Sequence, residues 1–134
     1  MTRGMGFVVW TVMAACVAGA PSSAKAQEVR TIQGEIVDPA TYLKTGGHGP
    51  AAANHTYEAV DGGQTLALLD EATGQLYLLL AEEPGEDPNE LIYDAANQTL
   101  KVTGTVYERA GLKGIVVKSV EPLSPPSDST EPAR

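Results

Sequence analysis

Cysteine, aromatic residues and basic residues are scarce in this chain, and each shortage narrows the range of functions. The 134 residues include a single cysteine, Cys16, and aromatic residues make up 5% of the sequence. Beyond Cys16, the chain therefore has no disulfide, no thiolate metal site and no cysteine nucleophile. Nine basic residues stand against 17 acidic ones, a net charge of −8. Such an acidic surface repels nucleic acid phosphates and anionic lipid, so neither is an expected partner.

The only long uncharged apolar run covers residues 7–20, and it predicts export. Arg3 precedes it, and Ala24-Lys25-Ala26 places small residues at the −3 and −1 positions of a cleavage site before Gln27. This is the layout of a secretory signal peptide. At about 14 residues the run is shorter than the roughly 20 that span a bilayer. We expect residues 1–26 to be removed after Ala26, leaving a periplasmic or secreted protein with no membrane span.

An alternative reading of the same region is a lipoprotein. Met13-Ala14-Ala15-Cys16 resembles a lipobox, in which Cys16 would be acylated and become the new N-terminus. The apolar run continues past Cys16, which favours cleavage after Ala26.

Alternating apolar and polar residues after Gln27 predict a mainly β domain. Five segments bounded by Gly, Pro or Asp are predicted to be strands. They are residues 29–37, 65–70, 75–81, 99–108 and 112–120. Between the first two, residues 40–63 are predicted to be an irregular loop with at most a short helical turn over 51–60. The Pro-, Ser- and acid-rich segment 124–134 predicts a disordered tail, which leaves 27–123 as the domain.

A short helix is predicted between the third and fourth strands. Asp87 can cap this helix, and Pro88 suits its first position. The side chain of Glu90 can accept a hydrogen bond from the backbone N–H of Asp87, as in a capping box. Asn97 tolerates the left-handed conformation that ends a helix.

Two of the predicted strands carry a glycine at mid-length, Gly34 and Gly104. Such glycines permit sharp bends, which small closed barrels need. Five strands with one helix between strands 3 and 4 form the layout of an oligonucleotide/oligosaccharide-binding (OB) barrel. An open five-stranded α+β sheet is the alternative.

Several segments of residues 31–121 match a recurring pattern: Gly34–Asp38, Tyr42, Gly47-His48-Gly49, His55, Ala59, Leu76–Leu79 and Lys101–Lys113. The pattern resembles that of small exported bacterial OB-fold-like proteins whose function is uncharacterised. Those relatives carry cysteines where this chain has Thr41 and Glu58. The resemblance therefore implies a shared scaffold without the relatives' thiol chemistry.

The candidate ligand-binding residues are Tyr42, His48, His55 and Glu58, all in the predicted loop. On a helical turn His55 and Glu58 would share a face. Imidazole and carboxylate groups suit Zn or Cu, but the spacing matches no strong metal motif, so we assign no metal site. The sequence predicts a binding module with Tyr42–Val60 as its contact surface. The alternative is a small metal-handling protein that uses the loop histidines.

Enzymatic activity is not expected. The sequence offers no plausible Ser/His/Asp arrangement and no Gly-rich loop between a strand and a helix to hold phosphates, and it implies no cofactor. Basic residues are scattered and aromatic ones few, which argues against a nucleic-acid groove. The expected partner is a protein or small-molecule ligand in the cell envelope, bound by a monomer.

Overall fold

Five β-strands form the framework of the structure, a computed structural model that describes residues 27–123. They are β1 (Glu28–Val37), β2 (Ala67–Asp70), β3 (Leu76–Leu79), β4 (Thr99–Arg109) and β5 (Leu112–Pro122). The predictions for residues 1–26 and 124–134 lie outside the described residues. Within 27–123 no helix is long and apolar enough to cross a membrane.

The strands close into a barrel in the order β1-β2-β3-β5-β4, with β4 returning to pair with β1. All neighbours are antiparallel except β3 and β5, which run parallel and pair only at Leu78–Gly114 and Leu79–Ile115. The predicted closed five-stranded barrel is confirmed, and the open-sheet alternative is wrong.

Apolar side chains that point inward from the strands, together with two from the adjoining segments, form the core inside the barrel. Successive side chains of a strand alternate between the two faces of a sheet. The buried cluster consists of Ile32, Ile36, Leu66, Leu68, Tyr77, Leu79, Ile92, Leu100, Val102 and Ile115. Each fully buried aliphatic side chain of this kind stabilises the fold by about 1.5–3 kcal/mol.

The two mid-strand glycines lie where neighbouring strands approach most closely. A Cβ atom on Gly34 would stand 2.3 Å from the carbonyl oxygen of Leu69, and one on Gly104 would stand 2.3 Å from that of Val116. The register of β4 against β5 also shifts between Thr103 and Gly104. A bulge of this kind bends a strand, so Gly104 lies at a bend of β4, whereas Gly34 permits the close approach of β1 and β2.

The prediction of an irregular loop over 40–63 is wrong, because most of that segment is helical. It contains helix α1 (Pro39–Thr45), a 3₁₀ turn (Pro50–Ala52) and helix α2 (Ala53–Asp61). Asp38 caps α1 by accepting hydrogen bonds from the backbone N–H groups of Ala40 and Thr41, both at 3.0 Å. Proline at the first helical position needs no hydrogen-bond partner. The glycines that indicated a loop only separate the two helices.

The helix predicted after Asp87 is a 3₁₀ helix, Glu90–Ala95, and not an α-helix. The predicted cap at Asp87 is wrong, because the helix begins later, with Asn89 as its N-cap and no side-chain capping bond. Oδ1 of Asp87 instead accepts a hydrogen bond from the backbone N–H of Asn89 at 2.9 Å, in the turn before the helix. Asn97 has a φ of 55°, the left-handed conformation expected after the helix. Of this short helix only Ile92 is buried, and it contributes to the barrel core.

Candidate functional site

The candidate site is the helical insertion, defined as residues 39–61 between β1 and β2, together with the groups that hold it on the barrel. Glu35 is the principal anchor. It lies between the inward-facing Gly34 and Ile36, so its side chain points out of the barrel, yet only 8% of the residue is exposed. Its Oε1 accepts a hydrogen bond from the side-chain Nδ2 of Asn97 at 2.9 Å and another from the backbone N–H of Gly49. A buried carboxylate needs such donors to replace its lost hydration.

Asn97 joins this carboxylate to helix α2. Its Oδ1 accepts a hydrogen bond from the hydroxyl of Thr56, the one buried residue of α2. Its backbone N–H donates to the carbonyl oxygen of Ile36 at 2.7 Å, which fixes Asn97 against the end of β1. We call Glu35, Asn97 and Thr56 the anchor network. Its members come from β1, the segment before β4 and the insertion, so it joins three distant parts of the chain.

His48 and Tyr42 lie beside the anchor network. The Nδ1 atom of His48 is 3.2 Å from Oε2 of Glu35, and its ring meets that of Tyr42 edge-on at 6.2 Å between centroids. Because Nδ1 faces Glu35, Nε2 is the ring nitrogen left for another partner. The His48 side chain is 54% exposed. It is therefore held in one orientation and accessible from solvent.

Tyr42 also has a packing role. It is half-buried against a small apolar cluster on the outer face of the barrel, formed by Val37, Ala67 and Leu69. This contact packs α1 against the strands.

His55 and Glu58 form a separate pair on α2. Their Nδ1 and Oε2 atoms are 3.7 Å apart, and the side chains are 72% and 79% exposed. The predicted shared helix face is confirmed. A pair this open to water contributes little to stability, so both groups are accessible to a partner.

The second helix also contacts the 3₁₀ helix that precedes β4. The rings of Tyr57 and Tyr93 lie 6.2 Å apart, and the Tyr93 hydroxyl donates a hydrogen bond to Oδ1 of Asp61 at 2.8 Å. This bond, together with the negative charge of Asp61, raises the pKa of Tyr93 above its ordinary value. The contact fixes the far end of α2.

The four predicted site residues thus fall into two pairs, Tyr42 with His48 and His55 with Glu58. Across residues 27–123, no group of three or more His, Cys, Asp or Glu side chains is placed to hold a metal ion. Sequence reasoning missed the anchor network. A lone glutamate in an alternating strand reads as a solvent-facing residue, and its partner Asn97 lies 62 positions away.

Comparisons of this chain with protein families, curated proteins and solved structures find no match. The resemblance to exported OB-fold-like proteins therefore stays a prediction.

Proposed function

We propose that this protein is an exported, non-enzymatic binding module of the bacterial cell envelope, with the helical insertion as its contact surface for a protein partner. The observation that carries the proposal is the way the insertion is held. The anchor network occupies its inner side, while Leu43, His48 and His55 face solvent, with Leu43 74% exposed. Binding residues are commonly presented in this way, on a connection positioned by a rigid scaffold.

The composition of the exposed side supports a protein as the partner. It combines an apolar residue, Leu43, with two imidazoles and the carboxylate of Glu58. Mixed apolar and hydrogen-bonding surfaces of this kind suit protein recognition. Phosphate-rich partners are disfavoured by 17 acidic residues against nine basic ones. Export rests on the signal-peptide pattern of residues 1–26.

A capture experiment with two matched leucine variants tests the proposal. The processed protein, cross-linked in a cell-envelope extract, is compared with Leu43→Glu and with Leu112→Glu. Leu112 lies at the β4–β5 turn and is 69% exposed, close to the 74% of Leu43. Both variants add the same charge at an exposed leucine, so they are expected to fold alike.

We expect one protein to be captured equally by the original chain and by Leu112→Glu, and about tenfold less by Leu43→Glu, equivalent to about 1.4 kcal/mol. Circular dichroism checks that both variants are folded. Equal capture by all three proteins, equal loss in both variants, or no captured protein would each refute the insertion as the contact surface.

A further inference from the structure

Strand β1 has an unpaired edge along its first half. β4 pairs with one side of β1 along most of its length, whereas β2 pairs with the other side only over Gly34–Val37. The turn after β2 adds one contact, in which the backbone N–H of Glu71 donates to the carbonyl oxygen of Gln33 at 3.2 Å. Among residues 27–123, no strand pairs with that side of β1 before this point. We call residues 28–32 on this side the open edge.

The alternation of the backbone shows which groups face the open edge. Successive residues of a strand direct their N–H and C=O groups to opposite sides. The Gln33 carbonyl points to the β2 side, while both backbone groups of Ile36 bond to the segment before β4. The register of β1 against β4 runs without a bulge. The backbone groups of Val29 and Thr31 therefore point out of the open edge, where no described strand lies.

The side chains of the open edge are accessible and restrict what can pair there. All four residues of Glu28–Thr31 are exposed, and an unpaired edge is a template for another strand. Val29 lies on the outer face of the barrel and is 69% exposed, whereas Glu28 and Arg30 share the inner face with Ile32. Charges at an edge discriminate against strands that do not complement them. The added strand must therefore carry a cation opposite Glu28 and an anion opposite Arg30.

We propose that this strand is β1 of a second copy of the chain, and that the protein forms a two-fold symmetric dimer through its open edges. In an antiparallel pair centred on Val29, Glu28 of each copy lies opposite Arg30 of the other. Two-fold symmetry forms this ion pair twice. Val29 meets Val29 of the second copy on the outer face, which removes two exposed apolar side chains from water. The backbone hydrogen bonds are those of β-strand addition.

The charges select this register over its neighbours. Edge-facing residues of two antiparallel strands must lie opposite one another, so the two-fold axis passes through a residue. Centring the pair on Glu28 or on Arg30 places two like charges directly opposite each other, which is destabilising. Centring it on Thr31 brings Gln33, whose carbonyl already accepts from Glu71, into the contact. Val29 is the centre that pairs opposite charges.

The length of the open edge fits the same register. Gln27 lies opposite Thr31 of the second copy, so a chain that begins at Gln27 ends before it reaches the turn at Glu71. The α-ammonium group of Gln27 then donates to the Thr31 carbonyl oxygen of the second copy, in place of a backbone N–H. This fit rests on the cleavage after Ala26, which belongs to the proposed function.

The ion pairs are compatible with the groups already around them. The α-ammonium group of Gln27 stands beside Glu28 of its own chain, and a carboxylate has acceptor sites for both that group and an arginine. Arg30 donates through Nη1 to the Tyr77 hydroxyl at 3.4 Å, which uses one of the five N–H groups of its guanidinium. The others remain for Glu28 of the second copy.

The dimer leaves the helical insertion free, because the insertion follows the other end of β1. Its failure would therefore not touch the proposed protein contact. A strand pair of this length is at the small end of protein interfaces, so the expected dimer is weak. It departs from the monomer expected from the sequence, because local patterns do not show which strand edge stays unpaired.

Sedimentation equilibrium of the processed protein tests self-association at about 0.15 M salt, which screens the repulsion between two acidic copies. We expect a monomer–dimer equilibrium with a dissociation constant between about 1 μM and 1 mM. Arg30→Glu places like charges opposite each other and should weaken the dimer at least about tenfold. The double variant Glu28→Arg/Arg30→Glu restores opposite charges and should return the constant to within about threefold.

Lys101→Glu is the matched control, since it makes the same change of charge at an exposed position on the outer face of β4. It should dimerise as the original chain does, and circular dichroism checks that every variant is folded. No dimer at about 1 mM protein, an equal loss in Lys101→Glu, or a double variant no better than Arg30→Glu would each overturn the proposal.

Two cysteine variants locate the axis. The processed chain has no other cysteine, since Cys16 precedes the cleavage site. The two copies of residue 29 lie about 5.5 Å apart between Cα atoms in this register, within the range of disulfides. The two copies of residue 31 lie roughly 13 Å apart along the strands, at about 3.3 Å per residue. Mild oxidation should cross-link Val29→Cys faster than Thr31→Cys. Equal rates, the reverse order, or cross-linking of neither variant would refute the register.

Discussion

Replacing Gly104 with alanine tests whether close strand approach is needed to close the barrel. The new Cβ would stand 2.3 Å from the Val116 carbonyl oxygen and 2.8 Å from Cγ1 of Ile115, whereas ordinary contacts begin at 3.4 Å. Strands β4 and β5 would have to separate by about 1 Å at the bulge, and a paired backbone carbonyl cannot rotate away as a side chain can. Overpacking of a well-packed interior costs typically 1–3 kcal/mol. We expect Gly104→Ala to lower the free energy of unfolding by about 3 kcal/mol, the upper end of this range.

Urea and thermal unfolding measure this cost. For a domain of about 100 residues, 1 kcal/mol shifts Tm by about 4–8 °C, so Gly104→Ala should lower Tm by about 12–24 °C. Gly111→Ala is the matched control. Its φ is +80° and nothing lies within 4 Å of the added Cβ, so only backbone strain of about 1 kcal/mol applies. If the Gly104 variant is no less stable than the Gly111 variant, the reasoning about barrel closure is refuted.

Three further predictions concern the insertion. Glu35→Ala leaves the donors of Asn97 and Gly49 without their buried acceptor and should cost about 1–3 kcal/mol in urea unfolding. Glu58→Ala removes only an exposed partner, so an equal loss there would contradict the anchor network. Asp61→Asn should lower the pKa of Tyr93, followed by ¹³C NMR of its ring. Because the pKa is higher in the folded protein, the stabilisation from this contact is complete below about pH 10 and lost as pH rises through the folded-state pKa. Micromolar Zn²⁺ should leave the NMR signals of both histidines unchanged, and a joint shift of the two would revive the metal-handling alternative.

The sequence predicted the barrel because its strands carry strong local signals. The segments around Ile32 and Val102 alternate cleanly, and the register confirms that they pair. Gly34 and Gly104 marked the bends. The short helix was predicted less accurately. The capping residue Asp87 indicated an earlier start than Glu90, where the helix begins, and capping residues do not distinguish an α-helix from a 3₁₀ helix.

The candidate site was predicted less well, for physical reasons. Four glycines and prolines between Gly46 and Pro50 indicated a loop, although helices on either side depend on a local cap at Asp38 and on long-range contacts. The sequence around Thr56 carries no signal that this side chain is buried. Its burial follows from Asn97, 41 positions away, and no local pattern carries that information.

The long pairing of β1 with β4 also sets the order in which the chain can fold. Thr31 and Thr103 face each other in register and are 72 positions apart. β1 therefore stays without its main partner until nearly the whole domain has been synthesised. Folding governed by such non-local contacts is slow compared with that of helical domains, on the scale of milliseconds to seconds. The final closure of the barrel waits for the C-terminal hairpin, and a chain halted before residue 99 keeps the strand edge of β1 open to other chains.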